Sequence, residues 1–221
     1  MLEDIFNRRC ESALAMKNYL LRIGIFALLV SASAFTFQRE EAEPLKIGDP
    51  APLTNRSLMT TAGTEVTLAS VKGEGGLLVI FSCNTCPWVE KWEDRYHTVA
   101  SAASSHSINT ILLNSNEALR DGEESLDAMK KRAASMSYSF PYAVDPNAEL
   151  ADAFGANRTP EVYLFDKDLK LIYHGAIDDN ARDASAVESP YLMDAIAAYG
   201  SGKAIQTAET KSIGCTIKRK R

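Results

Sequence analysis

The stretch Leu77-Leu78-Val79-Ile80-Phe81-Ser82-Cys83-Asn84-Thr85-Cys86-Pro87 runs from an unbroken apolar segment into two thiols three positions apart. An apolar run of this length, opened by the turn Gly73-Glu74-Gly75-Gly76, reads as a central strand buried on both faces. Proline is favoured in the first helical turn. Trp88, Val89, Trp92, Tyr96 and Val99 follow Pro87 at helical spacing, which predicts one helix from about Pro87 through Val99. Cys83 then falls where strand gives way to helix. The first turn of a helix offers unpaired amides and the positive end of the dipole. Thiols of C-x-x-C motifs in such places have pKa values of roughly 3.5–7.5, against ~8.5 when free. Only the thiolate attacks a disulfide, so position activates Cys83 and leaves Cys86, one turn on, to resolve. Two other readings stand beside a redox pair. A zinc site asks for a second pair or for histidines at matched spacing, and His97, His106 and His174 show none. A structural disulfide across so small a loop constrains the unfolded chain little.

Outward from this stretch, strands and helices alternate. Ala62-Gly63 before Glu65-Val66-Thr67-Leu68 predicts a short hairpin arm. Residues 108–114 read as a strand, and 122–136 as an amphipathic helix with Leu126, Met129, Ala133 and Met136 on one side. Residues 140–144 are extended, and 146–154 form a short helix closed by Gly155. Glu161 to Phe165 and Leu169 to His174 are antiparallel strands around the turn Asp166-Lys167-Asp168. Ser189-Pro190 is expected to cap a last helix over 191–199. The order β-α-β-α-β-β-α predicts an α/β fold, a mixed central sheet flanked by helices behind an N-terminal β-hairpin arm.

The whole chain has 221 residues, 46% of them hydrophobic, and a net charge of -5. It carries enough apolar residues for a sizeable core, and no broad basic surface, so no nucleic-acid partner is expected. Its one basic cluster, Lys218-Arg219-Lys220-Arg221, reads as a frayed, solvated tail. Met16-Lys17-Asn18-Tyr19-Leu20-Leu21-Arg22, the apolar run from Ile23 and Ala32-Ser33-Ala34 follow the order of a signal peptide. The expectation is an exported, periplasmic or cell-envelope protein, cleaved near Ala34 and touching membrane only if that segment stays uncleaved. Residues 1–15 read as a gene-model extension, 16–34 as the signal peptide and 35–44 as a linker. Residues 45–205 read as the domain and 206–221 as a tail carrying Cys215. With Cys10 in the extension, the exported part keeps three cysteines: Cys83, Cys86 and Cys215. An odd thiol count in an oxidising compartment leans towards redox work rather than stapling.

A second element is Arg158-Thr159-Pro160-Glu161-Val162-Tyr163-Leu164-Phe165, where a proline opens a strand. Strand-C-x-x-C-P-helix followed by Thr-Pro before a hairpin resembles the thioredoxin fold. The resemblance implies that Pro160 is cis and packs against the active-site pair, and that the backbone of Thr159 pairs with an extended client segment. Residues 46–52 and 64–73 resemble the N-terminal arm of the redoxin branch, the alkyl hydroperoxide reductase/thiol-specific antioxidant-like domains. Tyr173-His174-Gly175-Ala176-Ile177-Asp178-Asp179-Asn180 and Ile213-Gly214-Cys215-Thr216-Ile217-Lys218 resemble a bacterial thioredoxin-family group with G-x-I-D-D-N and C-terminal G-C-x-I-K segments. Together the matches span roughly residues 45–218.

The resemblance implies an exported thiol–disulfide oxidoreductase that needs no cofactor and no metal. Its partners would be protein thiol and disulfide clients and an electron donor or acceptor. Cys83 and Cys86 are the catalytic residues, and Thr159, Pro160 and Trp88 bind the client. Cys215 is a candidate third redox thiol, and Asp178 a candidate proton carrier. A redoxin-type peroxidase is the alternative. Peroxiredoxins, however, carry Pro-x-x-x-Thr/Ser-x-x-Cys, and Ile80 and Gly76 stand three and seven residues before Cys83. A copper-binding Sco-like module is the further alternative. It would use His174 as the distal ligand, although that group spaces its cysteines as C-x-x-x-C.

Overall fold

The structure, a computed structural model, describes residues 43–220. Residues 1–15, the signal-peptide pattern at 16–34 and most of the 35–44 linker therefore lie outside the described residues. In chain order the elements are β1 (Leu58–Met59), β2 (Glu65–Val66), α1 (Leu68–Val71), β3 (Gly76–Ser82), α2 (Pro87–Trp92), α3 (Tyr96–Ser105), β4 (Ile108–Asn114), α4 (Leu126–Ser135), β5 (Tyr142–Val144), α5 (Glu149–Phe154), β6 (Arg158–Thr159), β7 (Glu161–Phe165), β8 (Leu171–Gly175), α6 (Tyr191–Gly200) and β9 (Cys215–Thr216). Five strands form a central sheet in the order β5-β4-β3-β7-β8. β3, β4 and β5 are parallel, β3 with β4 from Gly76 opposite Ile108 to Ser82 opposite Asn114, and β7 runs antiparallel to both of its neighbours, β3 and β8. The predicted mixed sheet is thus what the chain forms.

β3 is buried along its whole length, because alternate side chains feed two different layers. Leu78 and Ile80 enter one layer with Val89, Trp92, Tyr96, Met129, Leu192 and Ile196, so α2, α3, α4 and α6 cover that face. Leu77, Val79 and Phe81 enter the other with Leu68, Leu150, Phe154 and Tyr163, under α1 and α5. The arm is a two-residue ladder, β1 with β2, and it reaches the sheet. Thr60 bridges Ala143 on β5, and Pro50 bridges Lys170 beside β8. Leu171 exchanges backbone hydrogen bonds with Gly48 and Asp49 at 2.8 and 2.9 Å.

Four expectations change. The helix predicted from Pro87 through Val99 is broken. α2 stops at Trp92, a 3-10 turn fills Glu93–Arg95, and α3 starts at Tyr96. The break turns the Glu93 carboxylate inward to Arg132 and Tyr138. The predicted helix over 122–136 begins only at Leu126, with Ser125 accepting from the Ala128 amide, because Glu124 is drawn into the interior. Ser189 does not cap α6; its own amide donates to Asp179 Oδ2 at 3.0 Å. The basic C-terminus is not frayed through Arg219. The Lys218 amide donates to Asn116 Oδ1 at 2.8 Å, and Arg219 pairs with Asp152 at 2.7 Å.

Candidate active site

β3 delivers the chain to a four-residue loop, Cys83 to Cys86, and α2 begins directly after it. Ser82 at the strand end bonds the buried Tyr96 hydroxyl at 3.1 Å. From the other side come β6 and the cis peptide bond between Thr159 and Pro160. The two pieces meet where both sulfurs contact Thr159. Cys83 Sγ lies 3.3 Å from Thr159 Oγ1, and the Cys86 thiol donates to Thr159 O at 3.1 Å. Glu161, next after Pro160, holds the loop from behind by accepting the amides of Asn157 and Arg158 at 2.9 and 2.8 Å. All three cysteines of the described residues are free thiols.

Cys83 and Cys86 are only 2% and 3% exposed, because β9 lies over them. β9 pairs antiparallel with β6, Thr159 opposite Cys215. Cys215 packs against the same layer as the two thiols, as does half-buried Trp88. The Trp88 indole sits 6.1 Å from that of Trp92, with the Lys91 ammonium 4.5 Å above it.

The activating contacts also fall on the other sulfur. Cys86, not Cys83, is the N-cap of α2, so the first-turn amides face Cys86. Two adjacent thiols lose their first proton as a pair, and here the charge settles on Cys86. A hydrogen bond from the Cys83 thiol pulls its pKa down most. Burial opposes, and the Cys215 thiol and the amides of Val89 and Cys215 add to the pull. The Val89 amide is directed at the sulfur without closing a cap hydrogen bond of full geometry. The Thr159 carbonyl favours the protonated form, a single acceptor against several donors. Cys83 is pushed up, first by its bond to Cys86, then by burial, with Thr159 opposing and the charge of Glu124 adding. Cys215 is pushed up by burial and by its bond to Cys86.

Sequence reasoning missed Glu124. Its side chain is fully buried and accepts the amides of Asn84 and Thr85 at 2.9 and 3.2 Å and the Thr85 hydroxyl at 2.7 Å. Asn114 and Asn116 donate to it at 2.6 and 3.3 Å. The carboxylate thus takes up both backbone amides of the dipeptide between the thiols. Nothing local in Glu123-Glu124-Ser125 marks it; the signal is spread over Asn114 and Asn116, polar residues at the end of a buried strand.

Asp178, the candidate proton carrier, is buried and fully engaged. It accepts from Trp92 Nε1 at 2.9 Å and from the Asn180 amide at 2.8 Å, and pairs with Arg95 at 3.1 Å. His174 stacks on Tyr163 with centroids 4.5 Å apart and bonds Glu161 at 2.8 Å. Tyr163 belongs to the layer opposite the thiols, so His174 does not join them as a metal ligand. Among the described residues no group of three His, Cys, Asp or Glu side chains is arranged to hold a metal ion.

A family model described as Redoxin matches residues 46–189. The chain is similar to a hypothetical protein of Sinorhizobium meliloti 1021, at 31% identity over 81% of this chain and 97% of that one, with a TM-score of 0.73. At the level of fold it is similar to a peroxidoxin from Mycobacterium tuberculosis (17% identity, 72% and 95% coverage, TM-score 0.50). It is likewise similar to the thioredoxin domain of a thiol-disulfide oxidoreductase from Bacteroides vulgatus (16%, 59% and 88%, 0.50). No curated protein matches it.

Proposed function

This chain belongs to the redoxin family, and we propose that it works as a thiol–disulfide oxidoreductase on protein clients through Cys83 and Cys86. The observation that carries this reading is the convergence of two free thiols on the Thr159–Pro160 loop, at 3.3 and 3.1 Å. One thiolate attacks a client disulfide, a mixed disulfide forms, and one client sulfur leaves as thiolate. The second thiol then loses its proton, attacks the bonded cysteine and releases the client as a dithiol. Two electrons pass to the client, and the pair becomes a disulfide. The hydrogen bonds at Cys86 support Cys86 as the attacking sulfur and Cys83 as the resolving one, the reverse of the order expected from the motif. The 16–34 pattern supports placing this work outside the cytoplasm, where client disulfides persist.

The test is insulin reduction with dithiothreitol, together with trapping of the mixed disulfide. In a Cys215→Ser background, Cys83→Ser is expected to accumulate a client linked to Cys86, and Cys86→Ser to lose exchange. If both variants turn over at the wild-type rate, the reading fails. If the trapped adduct forms on Cys83 instead, the two roles swap and the reading stands.

Reduction of a peroxide is the second reading, favoured by a thiolate at a helix N-terminus. The hydroxyl and proline of the peroxiredoxin pattern are missing in either frame, since Cys83 and Val79 occupy those places when counted from Cys86. Peroxide consumption at a small fraction of the insulin rate is the expected result.

A further inference from the structure

The C-terminal segment occupies the place where a client would bind. Its strand pairs with Thr159, the backbone edge on which an extended client is expected to lie. Gly214 makes that approach possible. A Cβ there would stand 2.3 Å from Thr159 O, 2.7 Å from its carbonyl carbon and 3.1 Å from Pro160 N, so a larger residue would push the strand off. Arg158 Nη1 donates to Gly214 O at 3.2 Å.

The segment is tied down on both sides of the thiols. Upstream, Ala208 and Thr210 bond His174 on β8 at 2.9 and 3.0 Å, and Thr210 Oγ1 accepts the Ala176 amide at 2.9 Å. Downstream, the Ile217 amide donates to Asn157 O at 3.0 Å, and the Ile217 side chain is buried in the second layer. Cys215 is therefore held in position between two anchors, against the layer that contains Cys83 and Cys86.

We propose that β9 is an internal client, whose Cys215 receives the oxidised state of the pair as a Cys86–Cys215 disulfide. The inference rests on the redox reading of the pair given above. The Cys215 thiolate attacks the Cys86 sulfur of a Cys83–Cys86 disulfide. The Cys83–Cys86 bond breaks, the Cys86–Cys215 bond forms, and Cys83 leaves as thiolate and takes up the proton that Cys215 lost. One disulfide is exchanged for another, so this step needs no outside oxidant. The first disulfide comes from a client disulfide that departs as dithiol. Cys86 and Cys215 lie close enough to shift each other's protonation, which suits this step. A true client reaches Thr159 only when β9 lifts, so client and tail compete for one edge.

The test uses the full chain in a Cys10→Ser background, oxidised with glutathione disulfide, acid-quenched, alkylated and peptide-mapped. In Cys83→Ser, glutathione adds to Cys86 and Cys215 displaces it. The expected main product is a peptide linking Cys86 to Cys215, with Cys83-containing pairs impossible. Separate glutathione adducts on Cys86 and Cys215, with no link, overturn the proposal. Gly214→Val is expected to cut the linked species at least tenfold and to speed alkylation of Cys86; an unchanged yield overturns the docking argument. A Cys83–Cys86 disulfide with insulin turnover but no link to Cys215 removes the internal client and leaves the oxidoreductase. Failure of both disulfides removes the oxidoreductase as well.

Discussion

Glu124 holds the thiol loop from inside. It accepts two loop amides, one loop hydroxyl and two asparagine side chains. A hydrogen bond to a charged group contributes about 1.5–3 kcal/mol, and orphaned buried donors cost about as much again. Glu124→Ala is expected to lose about 3 kcal/mol or more of unfolding free energy in a urea titration. It should also lower the pH at which Cys83 loses its proton, because one of the charges that pushes Cys83 up is gone. A second outcome belongs to the sulfurs. Cys86 is lowered and Cys83 raised, so with Gly214→Val opening the site, iodoacetamide should label Cys86 well below the ordinary thiol range and Cys83 only far above it. Equal labelling profiles would contradict the assignment. The pair and the Thr159–Pro160 approach were legible because each has a local pattern. Glu124 was not, since glutamate is almost always exposed and its partners come from distant positions.

At the scale of elements, spacing read the strands well and the helix ends poorly. β3 and β7 announce themselves as apolar runs bounded by turns, and burial on both faces is the reason. The break between α2 and α3 has no such mark, because Trp92 and Tyr96 keep helical spacing across it. What sets it is tertiary: buried Glu93 meets Arg132 and Tyr138, far along the chain. Removing one partner of a buried ion pair costs about 3–5 kcal/mol, so Glu93→Ala should lower stability by that order, measured in urea. β9 was equally hidden. Two residues of strand carry no periodicity, and a basic end looked solvated. Its anchor is Ile217, 3% exposed. An Ile→Ala change in a core costs about 2–5 kcal/mol. Local opening of β9 should absorb much of that loss, so Ile217→Ala should raise the alkylation rate of Cys83 and Cys86 more than it lowers Tm. A fall in Tm with the thiols still shielded would show that β9 is not what covers them.

The whole molecule should be an alkali-sensitive one. Burial raises the phenols of Tyr96, Tyr138, Tyr142, Tyr163 and Tyr173 above their usual value. A raised folded pKa means that the unfolded chain loses these protons first. Stability is then fully present below about pH 10, the unfolded tyrosine value, and falls as pH rises beyond it. Tyrosinate absorbance should appear together with loss of secondary structure in one cooperative alkaline transition; smooth titration of a folded protein would contradict this. The arm that bridges β5 and β8, with the tail beside His174, has a different consequence. Under the proposed activity the protein's clients are half-unfolded chains, whose bare strands seek any sheet margin to zip onto. Here both outer margins are bridged by the chain's own arm and tail segments, which is expected to keep such strands from adding to the sheet.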